Sequence, residues 1–273
     1  ITTLIMKMIK PHVELLTQQY DKLGIYEMVE LAGRTSYKSE KNMSFDENGR
    51  STTAEAFTNK LVSYNHGAAL EHATIYLTIP RTEKLYKGMV KMYKDNKYSR
   101  VIEFDGNAYI TTNYRVIIEN GWTYDLKYLT EPHKLHVKRY SFRITCNRIN
   151  SQSFMRHRVF SFLQESTRYV TYNGDLEYIY PSDWNTYDAE TKKLFKDHIV
   201  ASESVYKALL DKGLKAERAR DLLPCGIKTE FVMTGFIDDW GKMLKLRLAK
   251  GAHPDAQLIA HQISDVLNDV IQD

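Results

Sequence analysis

Apolar side chains recur along this chain at two spacings, and the alternation between them outlines a mixed α/β (α+β) protein. Residues 26–34 predict a helix, followed by a polar, serine-rich segment from Ser36 to Thr53 that reads as loop. A helix over 54–65 carries Phe57, Leu61 and Val62 at helical spacing. Ala73 to Ile79 then alternates as a strand closed by Pro80. Tyr140, Phe142, Ile144 and Cys146 alternate in the same way. Residues 147–157 predict a helix that places Arg156 and His157 near its end and Ser166 in the loop beyond.

After Pro181, Leu194, Ile199, Val205 and Leu209 mark a helix from Thr191 to Lys212 that stops at Gly213. A short helix ended by Pro224 follows. The last helix opens with Pro254 in its first turn and carries Leu258, Ile263, Val266, Leu267 and Val270, a stripe suited to core or subunit contact. No repeat, low-complexity tract or interdomain linker divides the chain, which is taken as a single unit over 1–273.

Composition changes this picture little. A chain of 273 residues with 43% hydrophobic and 26% charged residues can bury a substantial core. A net charge of +4 and a pI near 8.8 favour small anionic ligands, but fall short of the concentrated cation of a duplex-DNA binder. Cys146 and Cys225 are far apart, so neither a disulfide framework nor a zinc site is suggested, and no metal is expected. The first ten residues lack the apolar core of a signal peptide, and no stretch reaches the length of a membrane span. A soluble protein of the reducing cytoplasm, without a membrane partner, is the expectation.

The densest chemistry lies in Arg156-His157-Arg158-Val159 and the following Gln164-Glu165-Ser166-Thr167-Arg168-Tyr169. Three guanidinium forks beside Ser and Thr hydroxyls suit a phosphate or an anionic ring. Charge alone favours a solvated basic helix end over such a site. The full pattern R-H-R, a serine eight residues after the last Arg, then Arg-Tyr, resembles the signature of the flavin-dependent thymidylate synthases. Other segments match that family in order: Arg34-Thr35-Ser36-Tyr37, His66-Gly67-Ala68-Ala69-Leu70-Glu71-His72, Arg220-Asp221-Leu222-Leu223-Pro224, and Leu246-Arg247 followed by His253-Pro254-Asp255-Ala256-Gln257.

The resemblance implies a central mixed or antiparallel sheet flanked by helices, and a homotetramer whose active sites are shared between subunits. It implies conversion of dUMP to dTMP with 5,10-methylenetetrahydrofolate as one-carbon donor and NADPH-reduced FAD as reductant. It assigns FAD to Ser36, His66, Glu71, Arg156, His157, Arg158 and Val159. dUMP falls to Arg156, Gln164, Ser166, Thr167, Arg168, Arg220 and Arg247, with Arg247 and Ser166 closest to the chemistry. Arg247 would stabilise charge developing on the uracil carbonyls. From the residues alone, Arg247 is a surface cation among Lys242, Lys245 and Lys250, Arg220 has as its structural alternative an ion pair with Glu217 one turn back, and His66 and His72 read equally well as buried, hydrogen-bonded imidazoles.

Departures from the family pattern stand at Ala68, Ser153, Phe236, Asp238 and Lys242, and put contacts to the AMP half of FAD and one dUMP contact in question. Pro224-Cys225 resembles the nucleophile motif of the unrelated flavin-free synthases, but Gly226-Ile227-Lys228 does not continue it, and packing after a helix accounts for the cysteine. Residues 81–136 are atypical of the family. There Lys84, Lys87, Lys91, Lys94 and Lys97 interleave with Tyr86, Tyr93 and Tyr98, which fits either an amphipathic helix with a solvated lysine face or a basic aromatic surface for single-stranded nucleic acid. The amphipathic helix is preferred, and no stable nucleic-acid partner is expected. Ala108 to Tyr124 reads as a hairpin added to the core sheet.

Overall fold

The computed structural model describes residues 7–172 and 176–272; residues 1–6, part of the stretch read for a signal peptide, lie outside them. Strands β1 (Lys7–Ile9) and β2 (His12–Leu16) lead into helix α1 (Lys22–Tyr37), α2 (Ala54–Ser63) and the single turn α3 (Gly67–Leu70). Next come β3 (Thr74–Pro80), α4 (Tyr86–Asp95), β4 (Arg100–Phe104), β5 (Asn107–Asn113) and α5 (Tyr114–Glu119). The remainder comprises β6 (Arg139–Asn147), α6 (Arg148–Phe154), β7 (Ser161–Gln164), β8 (Glu177–Ile179), α7 (Ala189–Asp211), α8 (Ala216–Ala219), β9 (Lys228–Phe236), α9 (Ile237–Arg247) and α10 (Pro254–Gln272).

A four-stranded antiparallel sheet runs β2-β6-β9-β7, with Phe142 opposite Met233 and Ile144 opposite Phe231 at its centre. One face packs Phe142, Ile144, Phe231 and Met233 against Trp240 and Met243 of α9 and Ile259, Ile263 and Leu267 of α10. α1 serves the other face. It is capped by Asp21, whose carboxylate accepts from the Gly24 amide at 2.6 Å, and it buries Ile25, Met28, Val29 and Ala32 at spacings of three and four. The same helix shares one buried apolar cluster with a second antiparallel sheet, β3-β5-β4, which contributes Ile75, Leu77 and Ile110. β1 and β8 pair in parallel beside α7, around Tyr178, Ile199 and Tyr206.

Several expectations need correction. The hairpin in the atypical segment is β4–β5, not 108–124, and it extends β3 rather than the four-stranded sheet. Its two-residue turn is Asp105-Gly106, both with positive φ (44° and 74°), as a tight right-twisted hairpin requires. The chain turns helical from Tyr114. The predicted 147–157 helix ends at Phe154, so Arg156 and His157 sit in the turn that follows. Ser36 and Tyr37 belong to α1 rather than to the loop. Leu194 and Val205 of α7 are exposed, as is Leu258 of α10, whose buried stripe is Ala256, Ile259, Ala260, Ile263 and Leu267.

The lysine/tyrosine segment folds as the amphipathic helix α4, with Tyr86 and Tyr93 buried beside Met89 and Val90. Their hydroxyls donate to Glu103 (2.9 Å) and Asp125 (3.0 Å). Only Tyr98 of the three rings is exposed, so a row of stacking platforms for bases is not formed.

Candidate active site

Arg247, the last residue of α9, meets the R-H-R turn. Its Nε–H donates to His157 Nε2 at 3.0 Å, a second nitrogen donates to the Ser153 carbonyl, and the guanidinium lies 5.9 Å from the Phe154 ring centre. Partial burial and then the nearby Arg156 charge favour loss of the Arg247 proton, while burial and then Arg247 depress His157. The imidazole that accepts at Nε2 is therefore the neutral one, its proton on Nδ1. Arg156, Arg158 and Val159 remain exposed around this pair.

A second cluster forms where β7 runs into the loop 165–170. The Ser166 amide donates to the Ser36 carbonyl at 2.9 Å, and Arg220 Nη1 donates to the buried Thr167 hydroxyl at 3.1 Å. Arg220 thus turns to the loop, not to Glu217. Ser166 Oγ accepts from the Arg168 amide at 3.4 Å, an orienting contact rather than the contact to a base that a nucleophile needs. Arg168 is exposed with its guanidinium 5.4 Å from the Tyr169 ring centre. Gln164 commits both protons of its side-chain amide, to Ser151 Oγ (2.8 Å) and Thr229 Oγ1 (3.1 Å), and keeps its carbonyl oxygen for another donor. Through Ser151 it ties this cluster to α6.

Ser36 and His66 line a cavity of about 370 Å³ together with Tyr37, Asn65, Gly67 and Arg115. His66 is exposed. Glu71 stands behind this cavity rather than on its wall, with its carboxylate on Arg115 at 2.6 Å. His72 is the buried imidazole of the pair: Nδ1 shares a hydrogen bond with Thr234 Oγ1 at 2.8 Å, and burial, then Arg139, lowers its pKa to about 3. A larger cavity, about 540 Å³, lies elsewhere, between α6, α7 and the start of α10, and holds none of the expected site residues. Among the described residues, no group of three or more His, Cys, Asp or Glu side chains is placed to hold a metal ion, and no helix is long and apolar enough to cross a membrane.

Sequence patterning missed Glu165, Lys228 and Tyr172, which anchor the loop from below. The Tyr172 hydroxyl donates to Glu165 at 2.5 Å, and Lys228 reaches Glu230 (2.8 Å), Glu165 (3.6 Å) and Glu177 (3.9 Å). No local pattern signals a lysine buried in a strand. Of the departures, Ser153 presents its carbonyl to Arg247, Phe236 is covered by Arg100 (4.5 Å to the ring centre), and Lys242 is held by Asp239 at 2.9 Å.

Two motifs some ninety residues apart thus share one site, and the segment that unites them is the one that comparison with known proteins picks out. A profile of the thymidylate synthase complementing protein family matches residues 133–271. The chain belongs to that family. Relatives named flavin-dependent thymidylate synthase include those of Geobacter sulfurreducens (34% identical over 89 residues, 32% of this chain and 38% of the relative) and Pyrococcus furiosus (27% over 118 residues, 42% and 48%). That of Pseudothermotoga lettingae is 27% identical over 137 residues, 48% of this chain and 62% of its own. The chain spans about half the length of the relatives it matches. The family match includes the R-H-R turn, the 165–170 loop, Arg220 and Arg247; Ser36, His66 and Glu71 lie upstream of it.

Proposed function

We propose that this protein is a flavin-dependent thymidylate synthase that converts dUMP to dTMP, using 5,10-methylenetetrahydrofolate as one-carbon donor, FAD as cofactor and NADPH as reductant. The observation that carries this reading is the 3.0 Å bond between Arg247 and His157, which joins the R-H-R turn to the arginine at the end of α9. The residues suit an anionic nucleotide and a flavin: exposed Arg156 and Arg158 flank the His157 that holds half-buried Arg247, exposed Arg168 follows the Thr167 that holds half-buried Arg220, and the cavity beside Ser36 and His66 offers an imidazole, an amide and a guanidinium. At about 370 Å³ that cavity holds one part of a dinucleotide; the rest would extend over the R-H-R turn, in this subunit or a neighbouring one.

Bound FAD supplies the reducing equivalents. The protein's own work is binding and charge stabilisation. Ser166, Thr167, Arg168 and Arg220 present donors to the dUMP phosphate, and Arg156 adds a fork from the adjoining turn. Gln164 offers its remaining carbonyl oxygen to the N–H of a uracil ring. Arg247, fixed by His157 and Ser153, keeps its other N–H groups for the uracil carbonyl on which charge develops when C5 becomes nucleophilic. A guanidinium already oriented stabilises that charge without reorganising. Residues 1–273 act here as one catalytic unit, as a cytoplasmic homotetramer that shares sites between subunits.

Tritium release from C5-labelled dUMP, in the presence of FAD, NADPH and 5,10-methylenetetrahydrofolate, tests the reading. Release dependent on all three added components is expected. A purified protein that shows neither a shifted flavin spectrum nor thermal stabilisation at saturating FAD would sink it. Binding of single-stranded nucleic acid is not favoured, because α4 buries two of the three tyrosines it would use.

A further inference from the structure

Arg115 belongs to the family-atypical segment 81–136, yet its side chain lines the cavity of Ser36 and His66. Two carboxylates on different elements fix it: Nε donates to Glu119 and Nη1 to Glu71, each at 2.6 Å. A bare backbone seats it. A Cβ on Gly67 would lie 2.7 Å from Arg115 Nε and 3.0 Å from Cζ, so the guanidinium rests where any side chain at position 67 would stand. Those hydrogen bonds use two of the five guanidinium donors, and the side chain is 39% exposed. An arginine whose position is set from behind, with N–H groups left at a cavity wall, is built to meet an oxyanion.

We propose that Arg115 is an anion subsite that the 81–136 segment adds to this cavity, and that it takes a phosphate of the flavin dinucleotide. The inference rests on the flavin reading above. Asn65 and His66 line the same wall and can share the oxyanion, whereas Glu71 and Glu119 hold the cation instead of the ligand. The segment that departs from the family thus supplies a ligand contact of its own, next to Ala68, where the family pattern is also altered.

The test compares FAD with riboflavin, which has the same ring and no phosphate, by flavin fluorescence titration at low salt. Arg115→Gln should weaken FAD roughly ten- to a hundredfold, the range for loss of a charged hydrogen-bonding partner, and leave riboflavin within about twofold. The salt dependence of FAD binding should flatten in the variant. Gly67→Ala gives a second route, because it displaces the guanidinium while leaving its charge and its carboxylate partners in place. It should weaken FAD in the same direction. Equal FAD binding by wild type and both variants overturns the subsite, as do equal losses for FAD and riboflavin, which mark a structural effect. A wild-type protein that binds neither flavin overturns the flavin reading itself and the subsite with it.

Discussion

Lys228→Met keeps most of the side-chain volume and removes one charge from a site where three carboxylates converge. Lys228 is 5% exposed, and Glu165 is 1% exposed with no hydrogen bond to its Oε2. Burial works against the ammonium, but attraction from Glu165, Glu230 and Glu177 outweighs it and holds the lysine above its usual range. The three carboxylates do not lose equally. Glu177 keeps Lys7 at 2.5 Å, and the side chains of Glu177 and Glu230 are 24% and 25% exposed, so both can turn to water. Glu165 cannot, and Lys38 approaches it only to 4.0 Å from the surface.

Stranding one buried carboxylate costs about 3–5 kcal/mol, and the lower end applies because Tyr172 still donates to Glu165. At about 2–4 °C per kcal/mol, Tm should fall by roughly 6–12 °C. Urea unfolding followed by circular dichroism measures the loss. Adding Glu165→Gln to Lys228→Met removes the stranded charge and should restore more than about 1 kcal/mol, a coupling that a double-mutant cycle isolates. Since Glu165 precedes Ser166, dUMP affinity should fall in the single variant and partly return in the double. A Lys228→Met variant within about 0.5 kcal/mol of wild type, or two substitutions that simply add, would refute a stranded Glu165 carboxylate.

Arg247→Ala should lower turnover by roughly 10²-fold or more while FAD stays bound, and Cys225→Ser should remain active. The reverse pattern, with Cys225→Ser abolishing tritium release in a folded protein, would point to a cysteine-initiated reaction. His72 makes stability depend on pH. Its folded pKa of about 3 lies below the unfolded value near 6.5, so the unfolded chain binds more protons between them. Stability should then be retained above about pH 6.5 and fall by roughly 1.4 kcal/mol per unit below it. His72→Asn should flatten that slope in urea titrations across the range, and an unchanged slope would show that other groups set it.

Elements that bury one face announced themselves, because burial then follows the local period. Tyr140 to Cys146 alternates as β6 against α9 and α10, and Leu61 and its neighbours mark α2. β9 did not stand out. Eight of its nine residues are buried, with α9 and α10 on one face and α1 on the other, and a strand covered on both sides shows no alternation. The β4–β5 turn is legible in Asp105-Gly106, although the alternation from Ala108 onward points to a hairpin further along the chain. In the site, motif spacing marked Arg156-His157-Arg158 and Arg247, whereas the contacts of Arg115 with Glu71 and of Lys228 with Glu165 join distant segments, which no spacing encodes.

The segment 81–136 bears on the site at two points, which sets it apart from a surface appendage. Arg115 reaches the cavity from α5. Arg100 of β4 lies 4.5 Å from the Phe236 ring centre and 4.0 Å from Asp239, at the start of α9. The same helix holds Trp240 against Phe160 and ends at Arg247, so the segment braces one end of the helix whose other end carries the proposed charge-stabilising arginine. A cation over an aromatic ring contributes about 0.5–1 kcal/mol at such a site, too little to hold α9 unaided. α9 itself is held by Trp240 and Met243, which pack on β6, β9 and α10, whereas the segment's own apolar anchorage falls on α1: Ile110, Ile117 and Tyr93 are wholly buried in the cluster that contains Val29. Removing the segment would take β4 and β5 from the three-stranded sheet and leave β3 alone, so the cluster that buries α1 would lose Tyr93, Ile110 and Ile117; α1 ends at Tyr37, and Ser36 in its last turn is the residue whose carbonyl holds the Ser166 amide.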